Sequence, residues 1–168
     1  AMEYQLLDCG HFRKLESLGN STIVRPSPAA VWEPQNQELW SQVDAEFLRF
    51  NDGNGEWKVR NSSMPQEWLV QLPLFQLKLK LTGFGHLGLF FEQEKNWQSL
   101  HQIIKHTTIP DFKVLNLFAY TGGSTLACAS AGAMVTHVDA SKTSVTWARE
   151  NTDLNGLKDA PVRWMVED

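Results

Sequence analysis

Residues 114–140 read VLNLFAYTGGSTLACASAGAMVTHVDA, and this stretch decides the fold class. Val114 to Tyr120 is an apolar run of strand length, as expected for a strand buried on both faces. Thr121 to Ser124 makes a tight turn around Gly122 and Gly123. Thr125 to Ala131 then reads as a short helix of small side chains, which lets it lie close to the strand beneath it. Gly132 suits the left-handed stop of that helix, and Met134 to Val138 is the next strand. Strand, glycine turn, helix and strand in this order open a doubly wound, Rossmann-like α/β sheet.

Reading outward from that core extends the pattern. A helix is expected from Ser141 or Lys142 to about Asn155, stopped by Gly156, followed by a third strand at Val162 to Val166. Upstream, Asn96 to His106 suits a helix with Trp97, Leu100, Ile103 and Ile104 on one face and Asn96 as its cap. The sequence reaches Asp168 directly after the third strand, so it reads as the first half of a doubly wound sheet. Such a half leaves its last strand with an open edge and an uncovered face, from which marginal stability or self-association is expected.

Composition changes near residue 95, from short segments rich in Trp, Pro and Gly to longer strand and helix runs. The expected organisation is a small β-rich region over residues 1–83 and half of an α/β domain over residues 84–168. In the first region Ser21 to Arg25 reads as a strand, and Ala29 to Trp32 as another short apolar piece. Leu39, Trp40, Val43 and Phe47 recur at helical spacing, which predicts a helix from Gln37 to Phe47. The run NDGNG at Asn51 to Gly55 is a turn signal, with Trp57 to Arg60 as the returning strand of a hairpin. Trp68 to Leu81 alternates apolar and polar residues over its second half, as a strand with one wet face does. Lys78 and Lys80 share that face, either as edge lysines that discourage aggregation or as phosphate contacts.

The chain has 168 residues, 42% apolar and 20% charged, so a packed core is expected and wholesale disorder is not. Its formal net charge of −4 argues against indiscriminate coating of nucleic acid. Cys9 and Cys128 stand far apart with no partner at zinc-like spacing, so neither a disulfide framework nor a metal site is indicated. No apolar run is long enough to cross a bilayer and the first residues do not form a secretory signal, which makes a cytoplasmic protein the expectation.

In doubly wound sheets ligands bind at the carboxyl ends of the strands. Three features fall there: Phe118, Ala119, Tyr120, Thr121, Gly122 and Gly123 after the first strand; Asp139, followed by Ala140 and Ser141, after the second; and Glu167 with Asp168 after the third. Asp139 lies 17 residues beyond Gly122, near the spacing at which an acid reaches a ribose diol. Taken singly, the glycine pair reads as a plain turn and Asp139 as the cap of the following helix. Together they describe an adenosine pocket. Dinucleotide binders favour G-x-G-x-x-G, whereas Y-T-G-G-S-T lacks the third glycine. A phosphate-free ligand such as S-adenosylmethionine therefore fits better than NAD, with an NAD-dependent oxidoreductase or a non-catalytic binding module as the alternatives.

LNLFAYTGGSTLACASAGA, followed by VDASKTSVTWARENTDLNGL and VRWMVED, resembles the class I S-adenosylmethionine-dependent methyltransferases, especially the group acting on large-subunit ribosomal RNA. The resemblance covers residues 84 to 168. It implies that Tyr120 to Gly123 surround the methionine moiety, Asp139 holds the ribose and Asp168 lies near the adenine. It also places Gly88 to Trp97 (GLFFEQEKNW) beside the methionine end, and makes RNA the expected substrate. The pattern L-L-D-x-G-x-x-R-K-L-E-x-L-G from Leu6 looks like the β-rich region that some members carry, where either substrate recognition or a packing role is expected. Members continue into an Asp-Pro-Pro type motif and, in some, a nucleophilic cysteine. Neither lies within these residues, so no catalytic residue is assigned and this chain alone is expected to be inactive.

Overall fold

The computed structural model describes residues 3–168. The chain divides into two compact units, one formed by the residues up to Gln71 with Leu79–Leu87, the other by Leu72–Lys78 with Gly88–Asp168.

The first unit is built on a five-stranded sheet of β1 (Tyr4–Gly10), β2 (Arg13–Leu18), β3 (Ser21–Pro26), β4 (Ala45–Arg49) and β5 (Gly55–Val59), paired in that order. All pairings are antiparallel except β3 with β4. A parallel pair needs a long crossover. Asp8 holds this one in place: its buried carboxylate accepts the backbone N–H of Cys9 at 2.8 Å, Gln35 at 3.2 Å and Asn36 at 2.9 Å, and Trp40 Nε1 at 3.0 Å. Desolvation pushes the Asp8 carboxyl up, but the four donors outweigh it and leave it below its ordinary value.

The helix expected from Gln37 to Phe47 is not formed. A 3-10 turn spans Gln37–Gln42 and Phe47 lies in β4, its ring centroid 5.3 Å from that of Trp57 on β5. Pairing on both sides of β4 satisfies its backbone and buries Phe47, which outweighs a helical spacing of only four residues. The hairpin expected at NDGNG is present, with Phe50 N–H donating to Asn54 O at 2.6 Å, and its return strand starts at Gly55. Ala29 to Trp32 forms no strand. Its Trp32 instead donates Nε1–H to Cys9 O at 3.0 Å.

Trp68 to Leu81 is also not one strand. It splits into β6 (Glu67–Gln71) and β7 (Gln76–Lys80), a two-stranded sheet with Pro73 between them and Leu72 N–H donating to Phe75 O at 2.9 Å. Proline supplies no ladder donor and interrupts the run. Lys78 is not an open edge lysine, because its Nζ lies 3.1 Å from Glu150.

In the second unit β8 (Lys113–Leu117), β9 (Met134–Asp139) and β10 (Val162–Val166) form a parallel sheet in the order β10-β9-β8. Helix α1 (Glu94–His106) precedes β8, α2 (Gly123–Ser130) joins β8 to β9, and α3 (Lys142–Leu154) joins β9 to β10. Strand, helix, strand, helix, strand is the Rossmann-like order read from the sequence. The small side chains of α2 pack as anticipated: Cys128 and Ala129 share a core with Ile104, Ala133 and Val135. Burial pushes the Cys128 thiol up to about 11, so it stays a packed thiol at neutral pH.

Three local expectations change. Asn96 does not cap α1; it lies inside the helix and donates to the Gln93 side chain at 2.9 Å. Ile103 faces solvent, while Trp97 and Ile104 are buried. β8 is not buried on both faces: Leu115 is 63% and Leu117 54% exposed, because α2 packs on the opposite face, where Val114 and Val135 join its core and Asn116 reaches Thr125.

A buried polar chain runs beneath the sheet's carboxyl end. Asn116 Nδ2 donates to Thr125 Oγ1 at 3.0 Å, and Thr125 Oγ1 lies 2.8 Å from Nδ1 of the fully buried His137. The His137 ring is 4.8 Å from the Trp164 ring, and its Nε2 has no hydrogen-bond partner among the described residues. Desolvation pushes His137 down to about 4 against the weaker pull of the Asp139 charge, so the ring is neutral at pH 7.

Two outcomes are expected. Asp8→Ala strands several donors and should cost about 1–3 kcal/mol in denaturant unfolding, whereas an unchanged midpoint would show the crossover to be held elsewhere. His137 takes up a proton at about 6.5 when unfolded but only near 4 when folded, so its contribution is complete at pH 7 and lost as pH falls through that window. The stability difference between wild type and His137→Gln should shrink between pH 6.5 and 4; a constant difference would contradict a neutral buried ring.

Candidate cofactor-binding site

The chain leaves β8 through a turn that few sequences accept. Phe118 and Tyr120 both take left-handed backbone, with φ of 52° and 51°, and Gly122 follows at 93° as the cap of α2. Such conformations cost non-glycine residues about 1–3 kcal/mol each and persist only where surrounding contacts impose them. Here those contacts come from β9. Ala119 N–H donates to Val138 O at 3.0 Å and Tyr120 N–H to Asp139 Oδ2 at 2.9 Å, while Gly122 N–H closes the turn on Ala119 O at 3.1 Å.

Asp139 binds in both directions. Its Oδ1 accepts the N–H of Ser141 at 2.9 Å, and Ser141 then caps α3 by accepting Ser144 N–H at 3.2 Å. A carboxylate offers about four lone-pair sites, so two remain for a ligand hydroxyl pair. The main-chain oxygen of Asp139 receives Glu167 N–H at 3.2 Å, which ties the end of β10 to the same corner.

The turn borders a cavity of about 300 Å³ lined by Phe118, Ala119, Tyr120, Thr121, Gly123 and Ser124 on one side. Asn116 and Leu117 of β8, Leu77 of β7, and Gly88, Leu89, Phe90, Gln93 and Trp97 complete it. Among the described residues no charged side chain lines it. Tyr120 forms an aromatic wall, its ring 5.3 Å from Phe90 and 6.3 Å from Trp147. Thr121 Oγ1 donates to Gly88 O, and Asn151 Nδ2 donates to Thr121 O at 2.9 Å, so the turn is held from two further segments. A Cβ at Gly123 would strike the Trp97 ring, which is why the start of α2 tolerates no side chain there.

Of the residues singled out from the sequence, the structure brings Phe118, Ala119, Tyr120, Thr121 and Gly123 to the cavity. Gly122 lies behind the turn, where a Cβ would sit 3.1 Å from Ala148 Cβ. Asp139 stands outside the cavity lining but is bonded to its Tyr120 backbone. Ala140, Ser141 and Asp168 are exposed at the same end of the sheet and do not line it. Reading the motif alone missed Asn116, Leu77 and Ser124. Nothing in the spacing marks Leu77 or Asn116, since β7 is remote in sequence and Asn116 looks like an interior strand residue, whereas Ser124 belongs to the turn itself.

No protein-family model matches the chain. It is 40% identical over 84 residues to a ribosomal RNA large subunit methyltransferase K/L of Shewanella sp. (strain W3-18-1), a match covering 49% of this chain and 11% of that protein. The same enzyme of Pseudoalteromonas atlantica is 44% identical over 84 residues, again 49% of this chain and 11% of the relative. Among solved structures, a S-adenosylmethionine-dependent methyltransferase from Agrobacterium tumefaciens superimposes with a TM-score of 0.93 at 41% identity, covering 100% of this chain and 53% of that one. The chain thus spans about a tenth of the curated relatives and about half of the Agrobacterium protein. The resemblance carried by FAYTGG and VDASK extends over the whole chain, which has the fold of the corresponding part of a S-adenosylmethionine-dependent methyltransferase.

Proposed function

We propose that the second unit binds S-adenosylmethionine and that the protein takes part in methyl transfer to RNA, ribosomal RNA being the acceptor favoured by the curated relatives. The observation that carries the reading is the left-handed Phe118–Tyr120 turn, clamped to Asp139 at the edge of an uncharged, aromatic-walled cavity. The residues fit that cofactor. Tyr120, Thr121 and Gly123 line a polar turn for its methionine end, the spare lone pairs of Asp139 suit a ribose diol, and Asp168 with Ala140 and Ser141 borders the adenine side. An uncharged lining suits a ligand without phosphates better than NAD, and the relatives named above are methyltransferases.

Bound there, the cofactor would supply an electrophilic sulfonium methyl group. What this chain's residues do is position and exclude. The aromatic wall and Trp97 keep water from one side of the cavity, and the clamped turn fixes the geometry before binding. Well-oriented reactants gain roughly 7–11 kcal/mol in this way. No residue of this chain is assigned to proton transfer or nucleophilic attack. The region up to residue 83 is read as substrate-facing and residues 84–168 as cofactor-binding, in a cytoplasmic setting suited to ribosomal RNA.

A second reading concerns self-association. Leu115 and Leu117 present an apolar face of β8, with Phe118 next to them 92% exposed. Sedimentation velocity should show a concentration-dependent dimer that Leu115→Lys abolishes; a monomer at all concentrations would remove this reading.

The cofactor reading is tested by calorimetric titration of the chain with S-adenosylhomocysteine. Saturable binding weakened about tenfold or more by Asp139→Ala is expected, the loss corresponding to a hydrogen bond with a charged acceptor. Tight binding of NADH with none of S-adenosylhomocysteine would replace the methyltransferase reading with the oxidoreductase one.

A further inference from the structure

Behind the cavity a hydrogen-bonded chain of side chains ends in an atom without a partner. Asn116 lines the cavity and donates Nδ2–H to Thr125 Oγ1 at 3.0 Å, and Thr125 Oγ1 lies 2.8 Å from His137 Nδ1. Thr125 and His137 are fully buried, and His137 Nε2 has no hydrogen-bond partner among the described residues. The ring also lies close under the cofactor turn, since a Cβ at Gly122 would come 3.8 Å from His137 Cε1.

The chain can run in either of two directions, because the Thr125 hydroxyl has a single proton to give. With His137 Nδ1 bare, Thr125 donates to it and its oxygen accepts from Asn116 Nδ2. With a proton on Nδ1, His137 donates to Thr125, the Thr125 proton turns to Asn116, and the amide must offer Oδ1 inward. The first direction leaves Asn116 Oδ1 facing the cavity as an acceptor. The second leaves the NH₂ group there as a donor.

The surroundings of His137 select the first direction. Burial pushes it down to about 4, against the smaller pull of the Asp139 charge and of the Tyr120 main-chain carbonyl, so the ring carries one proton at neutral pH. With Nδ1 turned to Thr125, that carbonyl favours a proton on Nε2 and would repel a lone pair there. The Trp164 ring, centred 4.8 Å away at a tilt of 53°, likewise attracts an N–H to its face. Asn116 therefore keeps Nδ2 on Thr125, and no described residue donates to its Oδ1.

We propose that His137, as its Nε2–H tautomer, is a positioning residue that holds the Asn116 amide with Oδ1 toward the cavity, where it accepts the ammonium group at the amino-acid end of the ligand. A neutral lining has to meet a cation with oriented dipoles, and an amide oxygen fixed from behind is such a dipole. His137 touches no ligand and acts through Thr125 and Asn116. The proposal rests on the cofactor reading given above and names the group of that ligand which Asn116 would hold.

Two measurements on the full chain test it. Nuclear magnetic resonance correlation of ring protons with ring nitrogens in the isotope-labelled protein reads the tautomer, the His137 signals being those absent from His137→Phe. A protonated Nε2 with a bare Nδ1 is expected, and the reverse would overturn the proposal. Calorimetry then compares S-adenosylhomocysteine with its analogue carrying hydrogen in place of the α-amino group. Wild type should prefer the amine by roughly tenfold or more, the worth of a hydrogen bond to a charged group. Thr125→Val, which removes the hydroxyl and keeps the branched shape, and His137→Phe should each lose most of that preference, while Thr125→Ser retains it. The preference is a ratio of two ligands on one protein, so a general loosening of the site cancels, and thermal melting shows that each variant is folded. An undiminished preference in Thr125→Val and His137→Phe, or equal binding of the two ligands by wild type, would overturn the proposal. Wild type that binds neither ligand would remove the cofactor reading, and the tautomer alone would then uphold or overturn the direction of the chain.

Discussion

Both carboxylate oxygens of Asp139 are committed to backbone, one to Tyr120 and one to Ser141, and the geometry of the candidate site follows from that commitment. Phe118 and Tyr120 are held in conformations that an isolated peptide would leave, so something must outweigh their strain. A charge-assisted hydrogen bond from a carboxylate is among the few single contacts strong enough. The same group starts α3 through Ser141 and, through its main-chain oxygen, anchors the end of β10. One residue at the end of the central strand therefore fixes the turn, the next helix and the third strand relative to one another. Its remaining lone pairs stay available.

The rest of the second unit supports this corner from below and from the side. The chain from the half-buried Asn116 to the fully buried Thr125 and His137 places polar atoms under the turn. Trp97 against Gly123 and Trp147 against Tyr120 fill the space that a looser turn would occupy. Asn151 bridges from α3 to Thr121 O and receives Lys78 N–H at 2.8 Å, so β7 is tied to the same helix. The cavity is thus shaped by packed aromatic rings and a hydrogen-bonded turn. A site of this kind binds by preorganisation.

The first unit solves a different problem. A parallel pair inside an otherwise antiparallel sheet needs a crossover, and Asp8 on β1 provides its fixed point by collecting three donors from within that connection. The buried Glu16 plays a comparable part on the opposite strand set, drawing Arg25, Lys14 and Tyr4 together. Burial of that carboxylate is tolerable because Arg25 and Lys14 neutralise it and Arg25 and Tyr4 donate to it directly.

Local order was legible wherever neighbouring residues decide it. The glycine turn, the small-residue helix after it, the strand ending at Asp139 and the hairpin at NDGNG all depend on backbone preferences within a few residues, and each stands where the sequence places it. Where partners distant in sequence decide, the sequence was silent or misleading. Phe47 sits in a strand because β3 and β5 pair with β4. Leu115 and Leu117 are exposed because α2 packs on the opposite face of their strand, which an apolar run cannot disclose. Composition and spacing by themselves determined the α/β order and the Asp139 corner, since both are written in short-range turn and strand chemistry. Only tertiary structure decided that Leu77 and Asn116 join the cavity beside the Gly88–Trp97 segment, because their meeting depends on long-range packing that no local preference encodes.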